Sequence, residues 1–301
     1  MSTALNTVPQ MQASPPAIAP TRQFLWSVRR ELWENRSIYI VPLVAAIVFL
    51  LSFVVQTIMM RYRMHTVWTS IAKLHEGLTT PYEVAAGLIM GAAFLVGIFY
   101  SLDALYGERR DRSILFWKSM PVSDLTTVLS KITVPLLMLP LLSFAITIVT
   151  QILMLLLSTL ILLGSGISTA ELWTHASVFQ FSGMLFYHIV TVHGLWYAPI
   201  YGWLLFISAW APRAPFVWAF LPPFLIGGIE RAMFNSTHFF NLLLHRLAGP
   251  EAPARNTTVM EAMASLGPLQ FFTEPGLWIG LAIAAAFLFA AVRLRRSRGP
   301  V

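Results

Sequence analysis

Seven histidines, thirteen acidic residues and twenty basic residues are the groups of this 301-residue chain that could move protons, ligate metal or bind phosphate. His188 and His193 fall five apart in one apolar segment, which on an α-helix separates them by roughly 140° around the axis. They do not share a face as zinc ligands four apart would, and no HExxH occurs. His65, His75 and Glu76 form a second scattered set, and Glu230, His238 and His245 a third. Sets of this kind are more often hydrogen-bonded structural residues than metal ligands. With no cysteine, disulfides, thiolate metal centres and a cysteine nucleophile are excluded. A phosphate-cradling P-loop is also missing. Lys118-Ser119 is the one Lys followed by Ser or Thr, but Trp117 and Arg112 stand where the two glycines belong.

The remaining ionisable residues are concentrated. "LYGERRDRSILFWKSMPVSD", Leu105 to Asp124, holds Glu108, Arg109, Arg110, Asp111, Arg112, Lys118 and Asp124 in a chain that is only 11% charged. Glu108 and Arg112, four apart with the acid first, predict a helical turn. Pro121 interrupts it, and Ser123 is placed to cap a new helix running through Lys131. Ile114, Leu115, Phe116 and Trp117 form a bulky block that is costly to leave in water. Arginines alone would suit a loop lying against anionic headgroups. Acids and large apolar side chains added to them predict a surface for a protein partner.

The elements that carry this stretch are set by composition. A 57% hydrophobic content and a mean hydropathy of +0.70 exclude an ordinary soluble domain and predict an all-α polytopic membrane protein. Residues 1–20 read as a disordered tail without a signal-peptide pattern, and 21–37 as an amphipathic helix lying in the membrane interface. In that helix Leu25, Val28 and Leu32 form the apolar stripe, with Gln23, Ser27, Arg30, Glu31 and Glu34 on the polar side. A single domain over 38–292 then holds six spans at about 38–60, 84–102, 132–163, 179–210, 214–229 and 275–292. A turn at "GSGIS" precedes span four, Pro199 predicts a kink in it, and residues 293–301 form a basic tail. Between spans five and six, Asn235 or Ser236 predicts the start of a short helix and Gly249-Pro250 its end. That helix is too short to cross a bilayer.

Fourteen of the twenty Lys and Arg fall on the side of the termini and the Leu105 loop, which the positive-inside rule places in the cytoplasm. The net charge of +7 is thereby explained by orientation and not by nucleic acid. The spans contain no Asp or Glu, which argues against an ion-coupled carrier and against an acid-pair hydrolase. Gln56, Gln151, His188 and His193 remain as candidates to line a pathway, although each equally suits interhelical hydrogen bonding.

Tyr106, Glu108 and Arg109, followed by "RSILFWKSMPVSD" and then Lys131 and Ile132 opening a span, resemble the first cytoplasmic loop of type-2 ATP-binding-cassette (ABC) exporter permeases. The likeness extends to the basic helix "RRELWENRSIYIVP", to six spans and to the short helix before the last of them. It implies that the loop is a coupling helix seated in a groove of a separate ATPase subunit. The docking residues would be Tyr106, Glu108, Arg109, Arg110, Asp111, Arg112, Trp117, Lys118 and Asp124. It further implies ATP and Mg bound on that partner, no cofactor or catalytic residue on this chain, and a second permease chain as homo- or heterodimer. Efflux across a bacterial-type cytoplasmic (inner) membrane, amid membrane lipid and with both termini cytoplasmic, completes the expectation. A multi-span enzyme using the His-containing outer loops, or an ATPase-independent anchor or immunity-type protein, are the alternatives.

Overall fold

The computed structural model describes residues 19–67, 71–120, 122–162, 178–250 and 268–299, and every regular element among them is helical. The N-terminal tail to residue 18, Pro121, the "GSGIS" turn and residues 251–267 lie outside the described residues, as do the side chains of His65, His75 and Glu76. Helix α1 (Pro20–Glu34) starts on a proline, whose fixed φ suits a first turn, and stops at Asn35, whose backbone and side-chain N–H groups both donate to the Glu31 carbonyl. Helix α2 (Ser37–Val67) follows, then α3 (Ile71–Asp103) and two short helices in the charged loop, α4 (Tyr106–Arg110) and α5 (Ile114–Ser119). Ser123 caps α6 (Asp124–Thr133) by accepting from the Thr126 N–H at 3.0 Å.

Helix α6 runs without a break into a π-helical segment, π1 (Val134–Met138), and on into α7 (Leu139–Leu162). Pro135 in the first turn of π1 and Pro140 just beyond its end withhold N–H groups, and the wider helix is the local answer to the interrupted ladder. The next span is built similarly from α8 (Val178–His188), π2 (Ile189–Trp196) and α9 (Ala198–Trp210). Helices α10 (Pro215–Phe234), α11 (His238–Ala248), α12 (Pro268–Thr273) and α13 (Pro275–Ser297) complete the described chain.

Among the described residues, five stretches are long and apolar enough to cross a membrane: Ser37–Met59, Thr80–Arg110, Asp124–Leu160, Pro215–Phe234 and Pro275–Ser297. Ser182–Trp196 with Ala198–Trp210, bent by 44°, make a sixth when taken as one span. The bend falls at Tyr197, two residues before Pro199, which sits in the first turn of α9 where its missing N–H costs nothing. Val48, Leu51, Phe224, Leu225, Ile279 and Phe289 are among many large apolar residues facing outward, a surface suited to hydrocarbon and not to water. The described residues are all-helical, with five or six stretches suited by length and composition to a multi-pass membrane protein.

Helix α9 is the centre of the packing. Its Tyr201 and Leu205 are fully buried in a core shared with α3, α6 and α13, and Trp196 at the end of π2 is buried in the same core. Small residues set its spacing: a Cβ on Gly97 would lie 2.8 Å from the Tyr201 hydroxyl, and one on Gly202 would lie 3.3 Å from the Ala284 backbone. At one end of this bundle α1, the loop of α4 and α5, the start of α6, and the C-terminal ends of α9 and α13 converge.

Candidate functional site

The convergence is held by ionised side chains. Glu31 comes from α1, Lys131 from α6, Glu108 from α4 and Arg295 from α13, and each is at most 9% exposed. Lys131 Nζ lies 2.8 Å from Glu31 Oε1 and 3.1 Å from Glu108 Oε1. Arg30 Nη2 donates to Glu31 Oε1 at 2.6 Å and reaches Glu108 Oε1 at 3.5 Å, while its guanidinium lies 3.9 Å above the Trp117 ring. Arg295 donates to Glu108 Oε2, and its Nε stands 3.0 Å from Asp124 Oδ1 as an ion pair without hydrogen-bond alignment. The Tyr100 hydroxyl donates to Glu31 Oε2 at 2.9 Å. Burial pushes the Glu31 carboxyl up, but Lys131 and then Arg30 outweigh it and hold it below its ordinary value. Three acids face three bases, so the cluster is neutral as a unit.

Beside it, basic side chains close helix ends. Arg109 Nη1 donates to the carbonyls of Ala209 (2.7 Å) and Ala211 (3.2 Å) at the C-terminus of α9, and Arg298 donates to that of Trp210. These carbonyls have no intrahelical donor and carry the negative end of the helix dipole. Lys118 Nζ does the same for Arg296 and Arg298 at the end of α13, at 3.5 and 3.2 Å. Ser208 Oγ accepts from the Leu105 and Tyr106 N–H groups, fixing the point where α3 turns into the loop.

These contacts divide the nine loop residues expected at a partner surface. Glu108 and Arg109 face inward and are consumed by the fold, Asp124 is tied to Arg295, and Trp117 lies half-buried beneath Arg30. The expected helical turn forms at Glu108 as α4 but does not extend to Arg112. Helix α4 ends at Arg110, and Arg112 adopts a left-handed backbone with φ 59°. Glu108 meets buried cations instead, where the lower dielectric makes an ion pair stronger than one facing water. Arg110, Asp111, Arg112 and Lys118 remain exposed together with Leu115, Phe116 and Met120, and Tyr106 is half-exposed. Arg110 is partly neutralised by Asp111 at 2.9 Å and Asp103 at 3.3 Å.

Of the four pathway candidates, Gln56 faces outward from α2, and Gln151 is buried on α7 with its Nε2 3.4 Å from the Tyr82 carbonyl. His188 and His193 do come together, with ring centroids 5.5 Å apart. The expected 140° separation fails because π2 replaces α-helix between them; an i to i+5 hydrogen-bond pattern turns less per residue and brings residues five apart toward one face. His193 is buried against Tyr197, and its Nδ1 has no hydrogen-bond partner.

Glu230, His238 and His245 are not brought together as one group. Glu230 accepts from the Ser236 hydroxyl (2.6 Å) and from the His238 and Phe239 N–H groups (both 2.9 Å), acting as a cap for α11 supplied from α10. His245 packs instead on the Trp196 ring. No cluster of three or more metal-ligating side chains occurs among the described residues. Helix α11 starts after Thr237 and ends at Gly249, φ 89°, where glycine suits a positive φ. Its last carbonyls accept from Trp196 Nε1 (3.1 Å) and the Tyr197 hydroxyl (2.9 Å). Arg246 lies across the Trp196 ring at 4.2 Å, donates to the Gly276 carbonyl at 3.1 Å and lies over Gly280, where a Cβ would require its guanidinium to move.

Glu31, Tyr100 and Arg295 were absent from the expected site. Glu31 carried a signal, an acid directly following two arginines in α1. Compared with protein-family models, curated proteins and solved structures, the chain finds no match.

Proposed function

We propose that this chain is the membrane-spanning permease subunit of an ABC exporter, paired with a second permease chain in a cytoplasmic membrane and driven by ATP and Mg bound to a separate ATPase subunit. The observation that carries this reading is the exposed ridge of the charged loop. Leu115, Phe116 and Met120 stand outward beside Arg110, Asp111 and Arg112, while Glu108 and Arg109 anchor the loop's inner side to four other segments. A bulky apolar centre flanked by charge is the composition of a protein-binding patch. Its rigid base suits a surface that receives a push. The loop sequence and the sixfold apolar pattern that resemble the permease family agree with it.

The test is purification of the tagged chain from its own membranes in mild detergent, with identification of stoichiometric partners. A P-loop ATPase is expected. Leu115→Ser/Phe116→Ser combined with Arg112→Glu is expected to lose that ATPase while its unfolding temperature stays within 2 °C or so, because exposed positions contribute little to stability. Arg109 is left intact, since its loss would disturb the fold itself. Recovery of the ATPase at unchanged yield with the triple variant, or no ATPase with the native chain, refutes the reading.

A further inference from the structure

The ion cluster consists of Arg30, Glu31, Glu108, Asp124, Lys131 and Arg295, from α1, α4, α6 and α13. Directly bonded partners in it lie up to 187 residues apart in the chain. We propose that this cluster is a single rigid joint, so that displacement of the loop carries α1, the base of α6 and the end of α13 with it as one body.

The argument is one of relative cost. An exposed ion pair such as Arg110–Asp103, both partners more than half exposed, separates cheaply because water replaces each partner. Glu31, Lys131 and Arg295 have side chains at most 3% exposed, and Glu108 is 9% exposed. Pulling any one of the four elements away strands charge in a site that water does not reach. Moreover one oxygen of each glutamate is shared: Glu31 Oε1 serves both Arg30 and Lys131, and Glu108 Oε1 serves the same two bases. No pair can be opened without disturbing a neighbour, which makes the cluster respond as a whole. The cheapest motion of this end of the molecule is therefore one that leaves the cluster intact. Carbonyl capping reinforces the same grouping, with Lys118 holding the end of α13 and Arg109 the end of α9. Helices α10 and α11 place no side chain in the cluster; they are fastened to each other by the Glu230 cap and by Phe240 seated over Gly227.

The joint depends on the proposed function only for the source of the push, and it can be tested on the chain alone. Hydrogen exchange of the full-length protein in lipid nanodiscs is compared between native chain, Glu108→Gln and the charge-keeping, shorter Glu108→Asp. Glu108→Gln is expected to speed exchange at 20–34, 124–133 and 291–297 together, by a common factor of tenfold or more, with 238–248 unchanged. Glu108→Asp is expected to give the same pattern at smaller amplitude and keeps the test available should the Gln variant fail to fold. Asp103→Asn, which removes an exposed pair, is expected to alter none of these segments. Acceleration confined to 104–119, or spread equally through 238–248, overturns the joint. Because no ATPase is present, failure of the partner pull-down leaves this result untouched, and the converse holds.

Discussion

Replacing Lys131 by Met keeps most of the side-chain volume and removes one of three positive charges from the buried cluster. Lys131 Nζ has two carboxylate oxygens within 3.1 Å, and its side chain is 3% exposed. Removing one partner of such a pair costs about 3–5 kcal/mol, because the remaining charge stays desolvated. Glu31 would keep Arg30, and Glu108 would keep Arg30 and Arg295, which places the expected loss near the lower bound, about 3 kcal/mol. Adding Glu31→Gln restores neutrality, so the double variant is expected to lose less than the two singles combined, by about 1–3 kcal/mol. The sign with pH follows. In the native chain Glu31 is held below its ordinary pKa of 4.5, so its contribution is full above that value and is lost only as pH falls below it. Without Lys131, burial dominates and the carboxyl moves up. The stability deficit of Lys131→Met relative to native should therefore be smaller at pH 5 than at pH 8. Thermal unfolding in detergent, monitored by a folding-dependent fluorescence, reads all three quantities. Additivity of the two substitutions within about 0.5 kcal/mol, together with a pH-independent deficit, would refute the claim that these groups share one buried network.

Two other expectations use the same unfolding assay. Arg112→Gly relieves a left-handed backbone in a residue with a Cβ, and the variant is expected to be stabilised by up to about 1 kcal/mol; a loss of that size instead would mean the guanidinium holds the loop together. Gly280→Ala places a methyl where Arg246 now lies and is expected to cost about 1–2 kcal/mol in cation–π and carbonyl contacts, falling to near zero in an Arg246→Ala background.

What could be read from the sequence was what local chemistry dictates. Apolar runs gave the spans, Ser123 the start of α6, and Gly249 the end of α11. The interior of the charged end could not be read in this way. Glu31 lies on the polar side of an amphipathic helix, a pattern that predicts contact with water, yet it is 1% exposed while Leu25 of the apolar stripe is 65% exposed. The periodicity assumes that polar means solvated, and here the neighbour of the polar side is another helix carrying Lys131. Arg295 looked like part of a basic tail, but α13 continues to Ser297 and turns it inward to Glu108, 187 residues away. The pairing of His188 with His193 was missed for a geometric reason. Sequence spacing was converted to angle with the α-helical period, and the π2 turn has a different one.

The clamp of Arg109 and Arg298 on the end of α9 has a consequence for descent. Its acceptors are the carbonyls of Ala209, Trp210 and Ala211, atoms that every residue type supplies. Substitution at those three positions leaves the clamp intact, so no compensating change at either arginine is selected. Glu31 with Lys131, and Glu108 with Arg295, are bonded through side chains and must change together or not at all. Among diverging copies of this chain, paired substitutions would trace the ion cluster, while the clamp would show only as two arginines that stay put beside freely drifting neighbours.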